Sequence, residues 1–338
     1  LDTLPPIISY STLEIPISGQ SGSKVTLARR DLYDVRYQLI AQEEGEENDV
    51  PSDEGANKDA ELSFVDNPSD LAPGLYEGGL KTWECSLDLV DVLEGRIKFE
   101  RGHGWVRGKR AIEIGCGTAV PSLYLLQQLL HEPSGQVEST IVLQDFNDLV
   151  IRLVTFPNAF LTWYTSSLAD RFRTDQDQEE PSGGNSEDVT ITITQDLKDA
   201  FIHSLKEQKI SLRFLAGSWD AILDTKDLFE SPFDVVLTSE TIYRTESLPT
   251  LIELLRRACG EDDAGVSSEK GLEPGVKKLS LHSNTLCLVA AKILYFGVGG
   301  SIIDFQKYLQ SRGATYDIVF NKALGVARQV LSLQWGAQ

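Results

Sequence analysis

The chain has 338 residues, 41% of them hydrophobic, enough to bury a full core in one large elaborated domain or in two. Its formal charge of −20 argues against direct nucleic-acid binding. No apolar run reaches the roughly 18 residues needed to span a bilayer, so no membrane segment is expected; the best, Leu286 to Gly300, contains Lys292.

The first residues, LDTLPPIISYS, lack a basic region followed by an apolar core, so no signal peptide is expected. Cys85, Cys116, Cys259 and Cys287 are far apart, and His103, His131, His203 and His282 show no ligand spacing. Reduced thiols and no metal site follow. The sequence contains no methionine.

The charge is concentrated. Residues 43–61 hold nine acids and one lysine, 170–188 seven acids and two arginines, and 261–278 five acids and three lysines. Together they carry −15 of the −20, and each is rich in Gly, Ser, Pro or Asn. They read as disordered insertions or loops, with attraction of a basic partner as the less ordinary reading.

In chain order, residues 1–42 offer two apolar segments, Leu13–Ile17 and Val25–Leu27, then DLYDVRYQLIAQ, which suits a strand or a short helix. Residues 1–69 form an N-terminal extension whose acidic linker spans 43–67; residues 70–338 form the main domain, with polar insertions near 170–188 and 261–280. From Asp70 to Leu93, a helix face of Leu87, Val90 and Leu93 follows a crowd of Tyr76, Glu77, Gly78, Gly79, Lys81, Trp83 and Glu84. Such a mixture suits a ligand-facing loop, or a glycine-rich helix entry with a buried Trp.

The stretch KRAIEIGCGTA, residues 109–119, reads as a short strand running into a tight Gly115-Cys116-Gly117 loop before an apolar helix over 120–130. A ligand loop and a purely steric turn are both compatible with it. A third glycine, needed for a dinucleotide fingerprint, is missing: Thr118, Ala119 and Val120 follow. Residues 140–143 make a second strand ending in Gln144, Asp145, Phe146 and Asn147. An acidic residue at that strand end can accept both hydroxyls of a ribose.

Residues 148–165 read as a helix interrupted near Pro157, 189–195 as an extra strand inside the acidic insertion, and 196–208 as a helix carrying Phe201 and Leu205. A third strand, 210–216, leads to Gly217, Ser218, Trp219 and Asp220, where the indole either flanks an adenine or caps the core. FDVVLTS, 233–239, is apolar enough for a central strand covered on both faces and ends in Glu240, Thr241, Ile242 and Tyr243. A helix over 248–258, a strand over 286–291, a helix over 302–312 and strands at 316–320 and 325–335 close the pattern. The expected fold is α/β, a mostly parallel sheet with an antiparallel terminal pair.

EIGCGTA, QDFN, TSETIY, YEGGLKTWEC and AAKILYFGVGG, in this order of fold and with that terminal pair, resemble the seven-stranded S-adenosylmethionine-dependent (class I) methyltransferases. Among these the combination looks like the histidine protein methyltransferase family, over roughly residues 70–335. The resemblance implies methyl transfer from S-adenosylmethionine, leaving S-adenosylhomocysteine, to a histidine of a large-subunit ribosomal protein, in cytoplasm and nucleus, by a monomer. It implies that Trp83, Glu113, Gly115, Cys116, Gly117, Asp145, Asn147, Gly217, Trp219 and Ser239 surround the cofactor. Glu240 and Tyr243 are then the catalytic candidates, with Glu77, Lys81, Lys292 and Tyr295 facing the substrate. A lysine methyltransferase of the same subclass, or a non-catalytic escort for a basic protein, are the rival readings; the missing third glycine disfavours a dinucleotide oxidoreductase.

Overall fold

The computed structural model describes residues 1–19, 22–38, 78–100, 104–176, 189–261, 285–295 and 300–335. The acidic linker at 43–67, Glu77 and most of the two polar insertions lie outside the described residues.

The main sheet has seven strands. In chain order these are β3 (Arg110–Ile114), β4 (Ser139–Asp145), β6 (Ile210–Ala216), β7 (Val235–Ser239), β8 (Leu286–Lys292), β9 (Ala314–Lys322) and β10 (Arg328–Trp335), and their spatial order is β6-β4-β3-β7-β8-β10-β9. The first five run parallel; β10 inserts antiparallel between β8 and β9. This is the class I methyltransferase architecture. β9 reaches further than the expected 316–320, its added residues Thr315, Asn321 and Lys322 being polar and exposed, and β10 begins at 328 where a strand from 325 was expected.

Register decides what the sheet can do. Ile114 pairs with Gln144 and with Thr238, Asp145 with Ala216, and Ser239 with Ala290. Five strand ends therefore stop level with one another, and the residues that follow them share one edge, where open parallel sheets bind ligands. Helices cover both faces: α1 (Glu84–Phe99), α2 (Val120–His131), α3 (Phe156–Tyr164) and α4 (Gln195–Glu207) on one core, α5 (Leu248–Ala258) and α6 (Ile302–Ser311) on the other. A buried ion pair from Arg328 Nε and Nη2 to the Asp88 carboxylate, 2.5 and 3.0 Å, ties β10 to α1.

The first residues build a second sheet. β1 (Ile7–Pro16) pairs with β2 (Lys24–Arg30) and, through Ile8–Ile191, with β5 (Val189–Thr192), so the extra strand expected inside the acidic insertion joins the N-terminal segment and not the main sheet. Residues 32–38 are helical, settling the strand-or-helix alternative, and Val35 packs with Leu80, Leu149, Val150 and Leu153.

The interruption near Pro157 is a π turn, Ile151–Thr155, leading into α3. Proline has no N–H for the carbonyl four residues back. That carbonyl, Leu153 O, instead accepts from Arg30 Nη1 at 2.8 Å. Asn158 completes the joint: its Oδ1 accepts from the Arg30 amide at 2.8 Å and its Nδ2 donates to Thr118 O at 3.1 Å, all within the core. Thus β2 braces the segment that follows the glycine loop. Asn158→Ala would strand a buried amide and a buried carbonyl, each worth about 1–3 kcal/mol. A stability loss of about 3 kcal/mol is expected in urea unfolding; a loss within experimental error would show that the joint is not needed.

Candidate active site

A cavity of about 420 Å³ opens at the carboxyl edge of the sheet, within the range of small-ligand sites. It is lined by residues at and just beyond the ends of five strands, β3, β4, β6, β7 and β8, together with the segment preceding α1. Of the residues singled out from sequence, Lys81, Trp83, Gly115, Cys116, Gly117, Asp145, Trp219, Ser239, Glu240, Tyr243, Lys292 and Tyr295 border it.

The glycine loop is a close-approach device. Gly115 and Gly117 have φ of +62° and +50°. A Cβ on Gly115 would meet Thr241 Cγ2 at 2.6 Å, and one on Gly117 would meet the Gly79 backbone at 3.2 Å. The two glycine motifs therefore stack backbone on backbone, which brings Trp83 to the loop. Ala119 stands where a third glycine is usual and adopts φ +60° without one, with the Cys116 carbonyl accepting from its amide at 2.7 Å.

Asp145 Oδ2 accepts from Gly117 N at 2.8 Å, and Oδ1 from Asn147 N at 3.1 Å. Its carbonyl accepts from Gly217 N at 3.0 Å. One residue thus registers the loops after β3, β4 and β6. Gln144, fully buried and not singled out from sequence, does the same in parallel: its Oε1 accepts from Gly115 N at 3.2 Å and its Nε2 donates to Gly217 O at 2.9 Å. No spacing rule marks a buried glutamine as a bridge.

Three expected residues lie elsewhere. Asn147 caps the turn beyond β4, its side chain accepting from Leu149 N at 2.9 Å, and Gly217 serves through its backbone. Glu113 sits behind the loop, fully buried, with Oε2 accepting from Ser122 N at 3.0 Å at the start of α2 and Oε1 without a hydrogen bond among the described residues.

Burial pushes the Glu113 carboxyl up to about 8 from its ordinary 4.5, against the opposing bonds from Ser122. A raised acid is protonated in the folded protein over a range where the unfolded chain has already ionised. Its contribution to stability is full below pH 4.5 and lost as pH rises through 8. Glu113→Gln is expected to flatten that stretch of the stability–pH curve in the ligand-free protein, by a few kcal/mol on the order expected from the shift. Parallel curves for the two proteins would contradict it.

The second half of the cavity is charged. Glu240 follows β7 with φ +59°, a strained backbone for a residue with a side chain, and its side chain is only 9% exposed. Among the described residues its Oε1 receives no hydrogen bond, and it lies 3.4 Å from Lys292 Nζ. Lys292 Nζ also lies 4.4 Å from the centre of the Trp83 ring and 3.7 Å from Glu84 Oε2. The Cys85 thiol and the Tyr295 hydroxyl are held protonated, by burial first and by the charge of Glu240 next. Tyr243 approaches through its backbone: its carbonyl accepts from Gly300 N at 3.0 Å, and a Cβ on Gly300 would sit 2.4 Å from that carbonyl. The last glycine of AAKILYFGVGG is needed for that contact.

No protein-family model matches the chain. Among curated proteins, Histidine protein methyltransferase 1 of Schizosaccharomyces pombe is 32% identical over 312 residues, 91% of this chain and 76% of that protein. Histidine protein methyltransferase 1 of Saccharomyces cerevisiae is 33% identical over 297 residues, 85% and 69%. The Histidine protein methyltransferase 1 homolog of Bos taurus is 31% identical over 249 residues, 72% of this chain and 51% of the bovine protein.

Proposed function

The chain belongs to the histidine protein methyltransferase family, an S-adenosylmethionine-dependent enzyme, and we propose that its acceptor is a histidine of a basic large-subunit ribosomal protein. We assign the chemistry to residues 70–338, acting as a monomer in cytoplasm and nucleus, where ribosomal proteins are made and assembled. The net charge of −20 favours a basic protein partner.

The residues present fit the cofactor. Asp145, already organised by two loop amides, can accept from the ribose hydroxyls, Trp219 and Phe146 offer apolar surface to the adenine, and the glycine loop lets the amino-acid part approach the backbone. When bound, S-adenosylmethionine supplies an electrophilic methyl group on a sulfonium.

The observation that carries the acceptor chemistry is Glu240, a carboxylate at the end of a central strand in a strained turn on the cavity wall. A histidine side chain, with an unperturbed pKa of about 6.5, is largely neutral at pH 7 and presents one ring nitrogen as nucleophile. Glu240, or the Tyr243 hydroxyl, accepts from the other ring N–H and fixes the tautomer, and the Glu240 carboxylate takes up the proton that the ring loses after it gains the methyl. The Glu240 carboxylate also faces the positive charge that moves onto the ring.

The test is incubation with labelled S-adenosylmethionine and an extract of cells lacking the enzyme, followed by identification of the labelled protein. A large-subunit ribosomal protein labelled on histidine is expected. Label on any other class of protein contradicts the acceptor assignment.

A further inference from the structure

Resting on the histidine reading, we propose that Lys292 is a specificity residue: its own ammonium fills the cation site that a lysine acceptor would need, leaving the pocket open to a neutral imidazole.

The site is built for a cation. The Trp83 indole face, 37% exposed beside the cavity, lies under an ammonium at 4.4 Å, and carboxylate oxygens of Glu240 and Glu84 stand at 3.4 and 3.7 Å from the same nitrogen. An aromatic face flanked by carboxylates is the surrounding that best stabilises a desolvated ammonium. In this chain the occupant is covalently attached. Lys292 is the last residue of β8, paired with Arg328 across the sheet, and the Tyr295 hydroxyl accepts from its backbone amide at 3.3 Å. Its side chain is 17% exposed, so the charge is held at the wall and not waved into solvent.

A lysine acceptor must carry an ammonium to the transferring methyl and shed its proton there. Here it would meet a like charge at short range, with the indole and one oxygen of each carboxylate already beside the resident ammonium. A neutral imidazole meets no such repulsion. The same cluster therefore separates two acceptors that the fold and the glycine loop treat alike.

The direct probe is tetramethylammonium, titrated by calorimetry at constant ionic strength into the enzyme saturated with S-adenosylhomocysteine. Removing the resident charge in Lys292→Met, or in Lys292→Gln should the first variant fold poorly, is expected to raise affinity for this cation about tenfold over wild type. Lys292→Arg, which keeps a cation, should stay at the wild-type level, and adding Trp83→Ala to Lys292→Met should remove the gain. Equal affinity in wild type and both uncharged variants, or a gain that survives loss of Trp83, overturns the assignment. A second arm uses the acceptor protein found by labelling and its form with the target histidine changed to lysine: the preference for histidine should narrow by about tenfold in Lys292→Met. Should wild type place its label on a lysine of the unaltered acceptor protein, the histidine reading itself fails; unchanged cation binding in the variants sinks only the role of Lys292.

Discussion

Asp145→Ala is expected to weaken binding of S-adenosylhomocysteine by about 100-fold or more, roughly 3 kcal/mol. Two losses add. The ribose hydroxyls lose an acceptor that carries charge, worth about 1.5–3 kcal/mol. The amides of Gly117 and Asn147 lose theirs, so the loop that must already be in place for the ligand has to be ordered by the ligand instead. Asp145→Asn keeps an oxygen that can accept from Gly117, and should fall between alanine and wild type. Calorimetry reads both; an alanine variant within threefold of wild type would show that Asp145 serves the fold alone.

Glu240→Gln is expected to lower kcat by 100-fold or more, on the order found for positioned acid–base groups, with S-adenosylhomocysteine affinity little changed. Glutamine keeps the shape and one acceptor oxygen, so tautomer selection is partly retained. What disappears is the negative charge facing the ring as it becomes an imidazolium and the basicity that takes its proton. The strained φ of +59° remains in the variant, and Lys292 keeps Glu84 and Trp83 as partners, so the backbone at the end of β7 has no cause to rearrange. Tyr243→Phe is the companion measurement: turnover at the wild-type level in both variants would remove the proton-handling role from this strand end.

Much of this was written in local sequence. Short apolar runs located the strands and apolar faces at helical spacing the helices, and the motifs EIGCGTA, QDFN and TSETIY converge because the register of β3, β4 and β7 ends them level. Glycine identity was informative for a steric reason: Gly79 and Gly117 are in mutual backbone contact. Other features were out of reach of any window along the chain. Ile8 pairs with Ile191, and Arg30 reaches Leu153 and Asn158, contacts more than a hundred residues apart that leave no periodicity. Gln144 bridges two loops as a fully buried polar residue in a strand that reads as ordinary. The π turn before Pro157 follows from a partner carbonyl served by another element, not from the helix's own residues. Lys292 was placed facing the substrate, but its partnership with Trp83, Glu84 and Glu240 depends on how β8 and α1 meet.

The central claim is that the methyl group goes to histidine. Acid hydrolysis of the protein labelled by the wild-type enzyme, followed by amino-acid analysis, reads the modified residue without reference to sequence. Label recovered as methylhistidine, and incorporated about 100-fold more slowly when Glu240→Gln replaces wild type, is the predicted result; label recovered as methyllysine would contradict it.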